Sequence, residues 1–371
     1  MKNKLMHCSG GRLSFLILFV LIAADVSAQL SPRTAAVIDS TVVQQMKQQK
    51  AVGMAIGIVQ DGELVYLKAY GFEDREKNVR VSNRTMFRWA SISKTLTAYA
   101  AMQLVEKNQL SLNTDIRKLV PEFPNKNVAI TPRDLLCHQA GIVHYSNGKV
   151  IRSNKHYEVP HPFRSVVTAL DTFKESPLIA PPGTRFSYSS HAFILLSAAV
   201  ERAGRQPFAD QVQDRIIRPL NLQTLQPDYQ WVAIPHRAIG YRLRNGKVVR
   251  STDTDVSWKL GGGGYISNIK DLAIYAQAIM NGKLISAKTQ EAMWSVQKTK
   301  DGKVTPVGLG IFVDGTGPKL RVAHSGSQEK SKTRMVIYPN QKSAVVVMSN
   351  SENVNPGNIS TAVYRAIAIS K

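Results

Sequence analysis

The sequence predicts an α/β protein of the α+β kind: an antiparallel sheet built from both chain ends, flanked by helices, with a mostly helical region inserted at about 108–235. Two observations carry this. Strand-like apolar runs gather near the N-terminus and again after residue 307, while the stretch between them has helical spacing interrupted by Pro/Gly loops. Asp61-Gly62 and Asn245-Gly246 are hairpin dipeptides, because both central residues of that turn need positive φ. With 371 residues, 43% hydrophobic and 20% charged, the chain can bury a sizeable core.

Residues 1–28 read as a secretory signal. Lys2, Lys4 and Arg12 form a basic start, LSFLILFVLIAA is the apolar segment, and VSAQ offers cleavage after Ala28. The apolar run is short for a membrane span. The expected mature domain is therefore 29–371, exported to a periplasm or secreted. A helix follows at 34–49, with Val37, Val42 and Met46 near one face. Residues 51–71 read as two strands around Asp61-Gly62. The next helix, at about 92–107, presents Ile92, Leu96, Tyr99 and Leu104 to the core. A further helix at 190–202 runs to Gly204, a good stop. Strand pieces are expected within 236–265, and a helix at about 268–280. Four strands follow, in 307–315, 319–326, 333–339 and 343–350, and a terminal helix at about 357–370 closes the chain.

Composition removes several function classes. The chain has two cysteines, and loss of the leader leaves Cys137 alone, so the mature protein forms no internal disulfide. The net charge of +22 is scattered, as in 242–250 and 328–334, without an aromatic-basic motif, so no nucleic-acid partner is expected. A basic exported surface suits contact with an anionic cell-envelope polymer or lipid. No H-E-x-x-H or G-x-S-x-G occurs, and the histidines of 155–163 lack a fixed ligand geometry, so neither a metal nor an α/β-hydrolase nucleophile is expected. The run Gly261–Gly264 lacks the Lys-Ser/Thr of a phosphate loop and reads as tight packing. No cofactor is expected.

The candidate chemistry starts at WASISKTLTAYA, residues 89–100. Serine is a common helix N-cap, and on frequency alone Ser91 reads as one. Lys94, three residues on, lies on the same helical face, so its amine can reach the Ser91 hydroxyl, while Ser93 has no such partner. A lysine kept neutral by burial or by a nearby positive charge can activate serine.

Two distant segments change the balance. Tyr188 lies in PPGTRFSYSSHAF, just before an apolar helix, and His324 lies in AHSGS at the end of a strand. The order S-x-x-K, Tyr, then His-Ser-Gly resembles the serine β-lactamase and penicillin-binding protein superfamily, and most of all its class C β-lactamase-related branch. LSLNTDIRKLVPEFP, ITPRDLLCHQAGI and WKLGGGGYISNIKDLAIYAQAIMNGKLIS also resemble family blocks, so the resemblance covers about 35–350. It implies the β-lactamase/transpeptidase-like fold and an acyl-enzyme on Ser91, with Lys94 and Tyr188 sharing the proton transfers. It also implies an oxyanion hole from the N–H groups of Ser91 and Ser327. His324 would take the place of the family's lysine, with Ser325 and Gly326 on the strand edge where substrate lies. Gly326 would let substrate approach the backbone. Ser190 is either a substrate contact or the cap of the 190–202 helix, and His138 is expected to be a structural hydrogen-bonder.

Departures from the family pattern bear on substrate. Tyr188-Ser189-Ser190 stands where Y-x-N is common, and serine lacks the amide. His324 gives no guaranteed positive charge. The Glu-x-x-Leu-Asn deacylation element is absent, leaving water activation to Tyr188 or His324. These features point to an exported serine hydrolase acting on a small-molecule or peptide substrate, favouring peptide or D-amino-acid amides. The alternatives are a carboxylesterase or weak β-lactamase, and a non-catalytic protein that binds peptidoglycan or a partner.

Overall fold

The computed structural model describes residues 29–369. The expected signal peptide, 1–28, and the last two residues lie outside that range. Helix α1 (Pro32–Gln48) is capped by Ser31, whose Oγ accepts from Thr34 N. Its buried face is Thr34, Ile38 and Val42, one residue per turn. Val37, expected in the core, is 38% exposed: Ile38 takes the place because it stands in line with Val42.

Strands β1 (Gly53–Gln60) and β2 (Glu63–Asp74) turn at Asp61 and Gly62, whose φ values are 53° and 88°. A two-residue strand, β3 (Val79–Arg80), extends the edge. The C-terminal strands are β4 (Phe312–Asp314), β5 (Arg321–Gln328), β6 (Ser331–Tyr338) and β7 (Ser343–Ser349). They join the first three in one antiparallel sheet, ordered β3-β2-β1-β7-β6-β5-β4. The first and last long strands therefore meet at the centre, with Met54 opposite Ser349 and Val59 opposite Ala344. Of the run expected at 307–315, only Phe312–Asp314 is strand.

Both faces of this sheet are covered, which explains why SAVVVMS reads as a continuous apolar run. On one face Met54, Ile56, Ile58, Val345 and Val347 pack with α1 and the terminal helix α5 (Pro356–Ile369). The alternate residues Ala55, Val346 and Met348 face the larger core, which includes α2 (Ser93–Glu106), α3 (Ser190–Gly204) and α4 (Ile269–Met280). Ile92, Leu96, Tyr99 and Leu104 are all fully buried as expected, but so are Thr95, Ala98 and Ala100, so α2 is enclosed on every side. The inserted region carries helices at Pro132–Leu136, α3 and Phe208–Val212. Residues 137–189 are irregular apart from short 3-10 turns. Within 236–265 the strands are the hairpin Tyr241–Arg244/Lys247–Arg250 and the start of Tyr265–Ser267, which pairs with Phe87–Arg88 ahead of α2.

Candidate active site

Ser91 lies in a 3-10 turn, Ala90–Ile92, that runs directly into α2. The chain leading to it is held on several sides. Arg88 Nε donates to buried Asp228 at 2.6 Å, and Trp89 Nε1 donates to Ser267 Oγ at 2.7 Å. Ser331 and Thr333 of β6 donate their hydroxyls to the carbonyls of Arg88 and Trp89, at 2.6 and 2.9 Å. These anchors fix Ala90 at φ 47°, a left-handed conformation costing on the order of 1 kcal/mol for a residue with Cβ. The capping role open to Ser91 is not used: neither the turn nor α2 has a side-chain cap. The Ser91 hydroxyl is left to its neighbour one turn on. Ser93 instead accepts from Tyr265 N and is buried.

Lys94 is completely buried. Its Nζ lies 3.0 Å from Ser91 Oγ, 2.9 Å from Ser190 Oγ and 2.6 Å from the Gly262 carbonyl. No carboxylate pairs with it among the described residues. Burial, reinforced by the charge of Lys259, holds its pKa well below the usual lysine value.

Tyr188 is half-buried, with its ring centroid 5.0 Å from Lys94 Nζ, and its hydroxyl shares side-chain hydrogen bonds with Ser91 and Ser190. Burial is the largest influence on the phenol and raises its pKa; Tyr145 adds to the rise and the two serines oppose it.

The start of α3 seats this tyrosine. Ser189, not Ser190, is the N-cap: its Oγ accepts from Ala192 N at 3.1 Å and donates to Val143 O at 3.0 Å. That division leaves Ser190 free to face Lys94. His138 Nδ1 accepts from Ser189 N and His144 Nδ1 from Ser190 N, each at 3.2 Å, so both imidazoles carry their proton on Nε2. His138, its ring 4.4 Å from the Tyr188 ring and tilted 36° to it, is the structural hydrogen-bonder its sequence block suggested.

His324 is buried on β5, and its Nδ1 lies 2.8 Å from the Ser325 carbonyl, which can only accept, so Nδ1 carries the proton. Burial first and Lys94 second push its pKa down to about 3, leaving it neutral at physiological pH. β5 pairs with β4 only through Arg321, Val322 and Ala323, so beyond Ala323 this edge has no neighbouring strand. Ser325 and Ser327 face outward along it and, with Ser91, Tyr188 and His324, line a cavity of about 510 Å³. Gly326 also has a reason within the protein itself. A Cβ there would lie 2.1 Å from Thr333 Oγ1 and 2.3 Å from the Trp89 carbonyl, so glycine lets β5 press on the turn that carries Ser91. Gly261 is tight packing as expected, since its Cβ would come 2.5 Å from Ser197 Cβ.

Every residue singled out from the sequence thus falls in one place: Ser91, Lys94, Tyr188, Ser190, His324, Ser325, Gly326 and Ser327. Five others were not anticipated. His144, Tyr145, Phe312 and Arg334 complete the cavity wall, and the Gly262 carbonyl holds Lys94. Arg334 stands opposite Ser325 in the β5–β6 register and donates to its Oγ at 2.7 Å. No local pattern marks it, because its meaning depends on strand pairing. Among the described residues, no group of three His, Cys, Asp or Glu side chains is placed to hold a metal.

This architecture is shared with known proteins. The β-lactamase family model matches residues 38–369. The human serine beta-lactamase-like protein LACTB, mitochondrial, is 28% identical over 295 residues, which is 62% of this chain and 54% of LACTB; the chain thus spans about half the length of that relative. Among solved structures, EstCE1, a hydrolase with promiscuous acyltransferase activity, superposes with a TM-score of 0.76 at 20% identity, covering 90% of this chain and 98% of its own. The D-amino acid amidase of Ochrobactrum anthropi gives 0.76 at 18% identity, covering 91% and 100%. With a family model spanning nearly all of the described residues, the chain belongs to the β-lactamase family.

Proposed function

We propose that this protein is an exported serine hydrolase that cleaves an amide or ester, with preference for peptide-like substrates, through an acyl-Ser91 intermediate. The observation that carries the reading is Lys94: an enclosed amine with no carboxylate partner, 3.0 Å from the Ser91 hydroxyl. A neutral amine has two N–H groups and one lone pair. The Gly262 carbonyl takes one N–H and Ser190 Oγ the other, which leaves the lone pair for the Ser91 proton.

In acylation, Ser91 Oγ bonds to the substrate carbonyl carbon while its proton passes to Lys94 Nζ. The resulting oxyanion is held by the N–H groups of Ser91 and Ser327. The bond to the leaving group then breaks, and the leaving atom receives the proton from Lys94 by way of the Tyr188 hydroxyl. In deacylation a water bonds to the acyl carbon and gives its proton to the same pair, which passes it to Ser91 Oγ as the bond from Ser91 to that carbon breaks. The depressed Lys94 and elevated Tyr188 pKa values suit a base and a neutral carrier, respectively. His324, down at about 3, is too weak a base to compete for the water's proton.

The unpaired edge after Ala323 supports an extended, peptide-like substrate, which can add its backbone hydrogen bonds there. Arg334 supplies the positive charge that His324 lacks. Export rests on the signal-like segment 1–28. Labelling with a fluorophosphonate and with a fluorescent penicillin, wild type against Ser91→Ala, tests the reading. Ser91-dependent label or turnover on an ester and peptide panel is expected. Equal behaviour of the two proteins would remove the catalytic reading in favour of a binding protein with this fold.

A further inference from the structure

A second cavity, of about 340 Å³, opens beside the first and shares Tyr145 and Ser327 with it. Its wall includes Trp258, Lys259 and Glu329. Lys259 is only 8% exposed, yet its side chain makes no hydrogen bond or ion pair with any described residue; its ammonium lies 5.5 Å from the centroid of the Trp258 ring. The two carboxylates on the wall do not satisfy it. Asp255 is taken up by Ser257, whose N and Oγ donate to it at 2.9 and 2.8 Å. Glu329 acts on Lys259 only through space.

The ammonium therefore reaches the cavity with an aromatic face beside it and no acceptor from the described residues. Here the side chain stands in the 3-10 turn Ser257–Lys259, which leads directly into Leu260–Gly263, the turn whose Gly262 carbonyl holds Lys94. That rigid placement keeps the charge beside the reaction centre, close enough to act on Lys94.

We infer that the Lys259 cavity is a substrate subsite for a carboxylate-bearing group, reached along Ser327 from an acyl carbon bound at Ser91. The inference rests on the proposed acyl-Ser91 chemistry and specifies its substrate class: an amide or ester with an anionic substituent on the Ser327 side of the scissile bond. The carboxylate supplies the acceptor that Lys259 lacks. Trp258 offers an apolar wall to the chain connecting that carboxylate to the reacting carbonyl. Arg152 lines the same cavity as Lys259, whereas Arg334 lies in the other one, against Ser325, so the cations of the two cavities address different ends of a bound molecule.

Arylboronic acids that form a reversible adduct with the serine provide the test. A set with carboxylates at increasing reach, each paired with its carboxamide, is titrated against wild type, Lys259→Met and Ser91→Ala. In wild type at least one carboxylate should bind about tenfold tighter than its amide, the scale of a hydrogen bond to a charged group. In Lys259→Met that ratio should fall to about one, and the variant should melt at or above the wild-type temperature, since an unpaired buried charge has been removed. Lys259→Gln provides the same comparison should the methionine variant fail to fold. The subsite is overturned if no carboxylate in the set is preferred by wild type, or if the preference survives both substitutions, which would place the recognition at Arg152 or Arg334. Boronate binding that ignores Ser91→Ala overturns the nucleophile reading itself, and the subsite falls with it.

Discussion

Two helices begin in the site with serines, and they use them in opposite ways. At α3, Ser189 does what a serine at a helix start usually does: it caps, and thereby frees Ser190 to face Lys94. At α2 no side chain caps, and Ser91 gives its hydroxyl to Lys94. The forgone cap, worth about 1 kcal/mol, is offset by the anchors on Arg88 and Trp89 that hold the turn from outside the helix. Residue type therefore does not separate a structural serine from a reactive one. What separates them is whether the first turn needs the hydroxyl.

The sharpest way to break this comparison is to remove the amine that both starts share. Lys94→Met should lower the fluorophosphonate labelling rate by about a hundredfold or more, the scale of a lost acid–base group. The wild-type rate should rise with pH as Lys94 loses its proton and level off well below 10.5, because the folded site disfavours the ammonium. A rising limb that extends to 10.5 would make Lys94 an ordinary lysine.

Ser190→Ala leaves Ser91 and Lys94 in place but removes one acceptor of the amine, so about a tenfold loss in labelling is expected. A loss equal to that of Lys94→Met would make Ser190 part of the proton path rather than a support. Ser189→Ala should act in the other direction, on folding. Calorimetry should show about 1 kcal/mol of lost stability, a drop of a few degrees in melting temperature, with a smaller change in labelling than Ser190→Ala gives. If labelling suffers more than stability, the contrast between the two starts fails.

The histidines around the site act on stability through pH and leave the contrast between the two helix starts untouched. His144 and His324 both fall from 6.5 to about 3 in the folded protein, chiefly through burial. Between those pH values the unfolded chain takes up protons that the folded one refuses. Stability is therefore greatest above about 6.5 and declines as pH falls toward 3. Melting temperatures across that window should drop in wild type, and the drop should be shallower in His144→Gln. An unchanged slope would assign the acid sensitivity to other groups.

Much of the fold was legible because its signals are local. Asp61-Gly62 must turn, the apolar runs at both ends must be buried, and α4 ends where its spacing ends. The error at α1, Val37 for Ile38, is a one-residue shift that only the packing partner decides. The irregular chain over 137–189 was legible as loop but not as a wall, since His144 and Tyr145 enter the site through contacts with α3 about 45 residues away. The motif residues of the site were legible through their order along the chain. Gly262, Lys259 and Arg334 were not, because a carbonyl, an unpaired amine and a strand neighbour acquire meaning only from what stands opposite them.

The sequence by itself determined which atoms the chemistry has available: a serine and a lysine one helical turn apart, a tyrosine before an apolar helix, and a histidine in place of a lysine on the strand edge. Periodicity and turn residues, which act within a few residues, also determined most of the elements. Tertiary structure decided how readily the ionisable groups hold their protons, because burial is a property of the whole core, and burial first of all lowers the Lys94 pKa. It also decided that Ser91 would not cap its own helix, since the anchors that relieve it of that task come from β6 and the Tyr265–Ser267 strand, each more than 170 residues away along the chain.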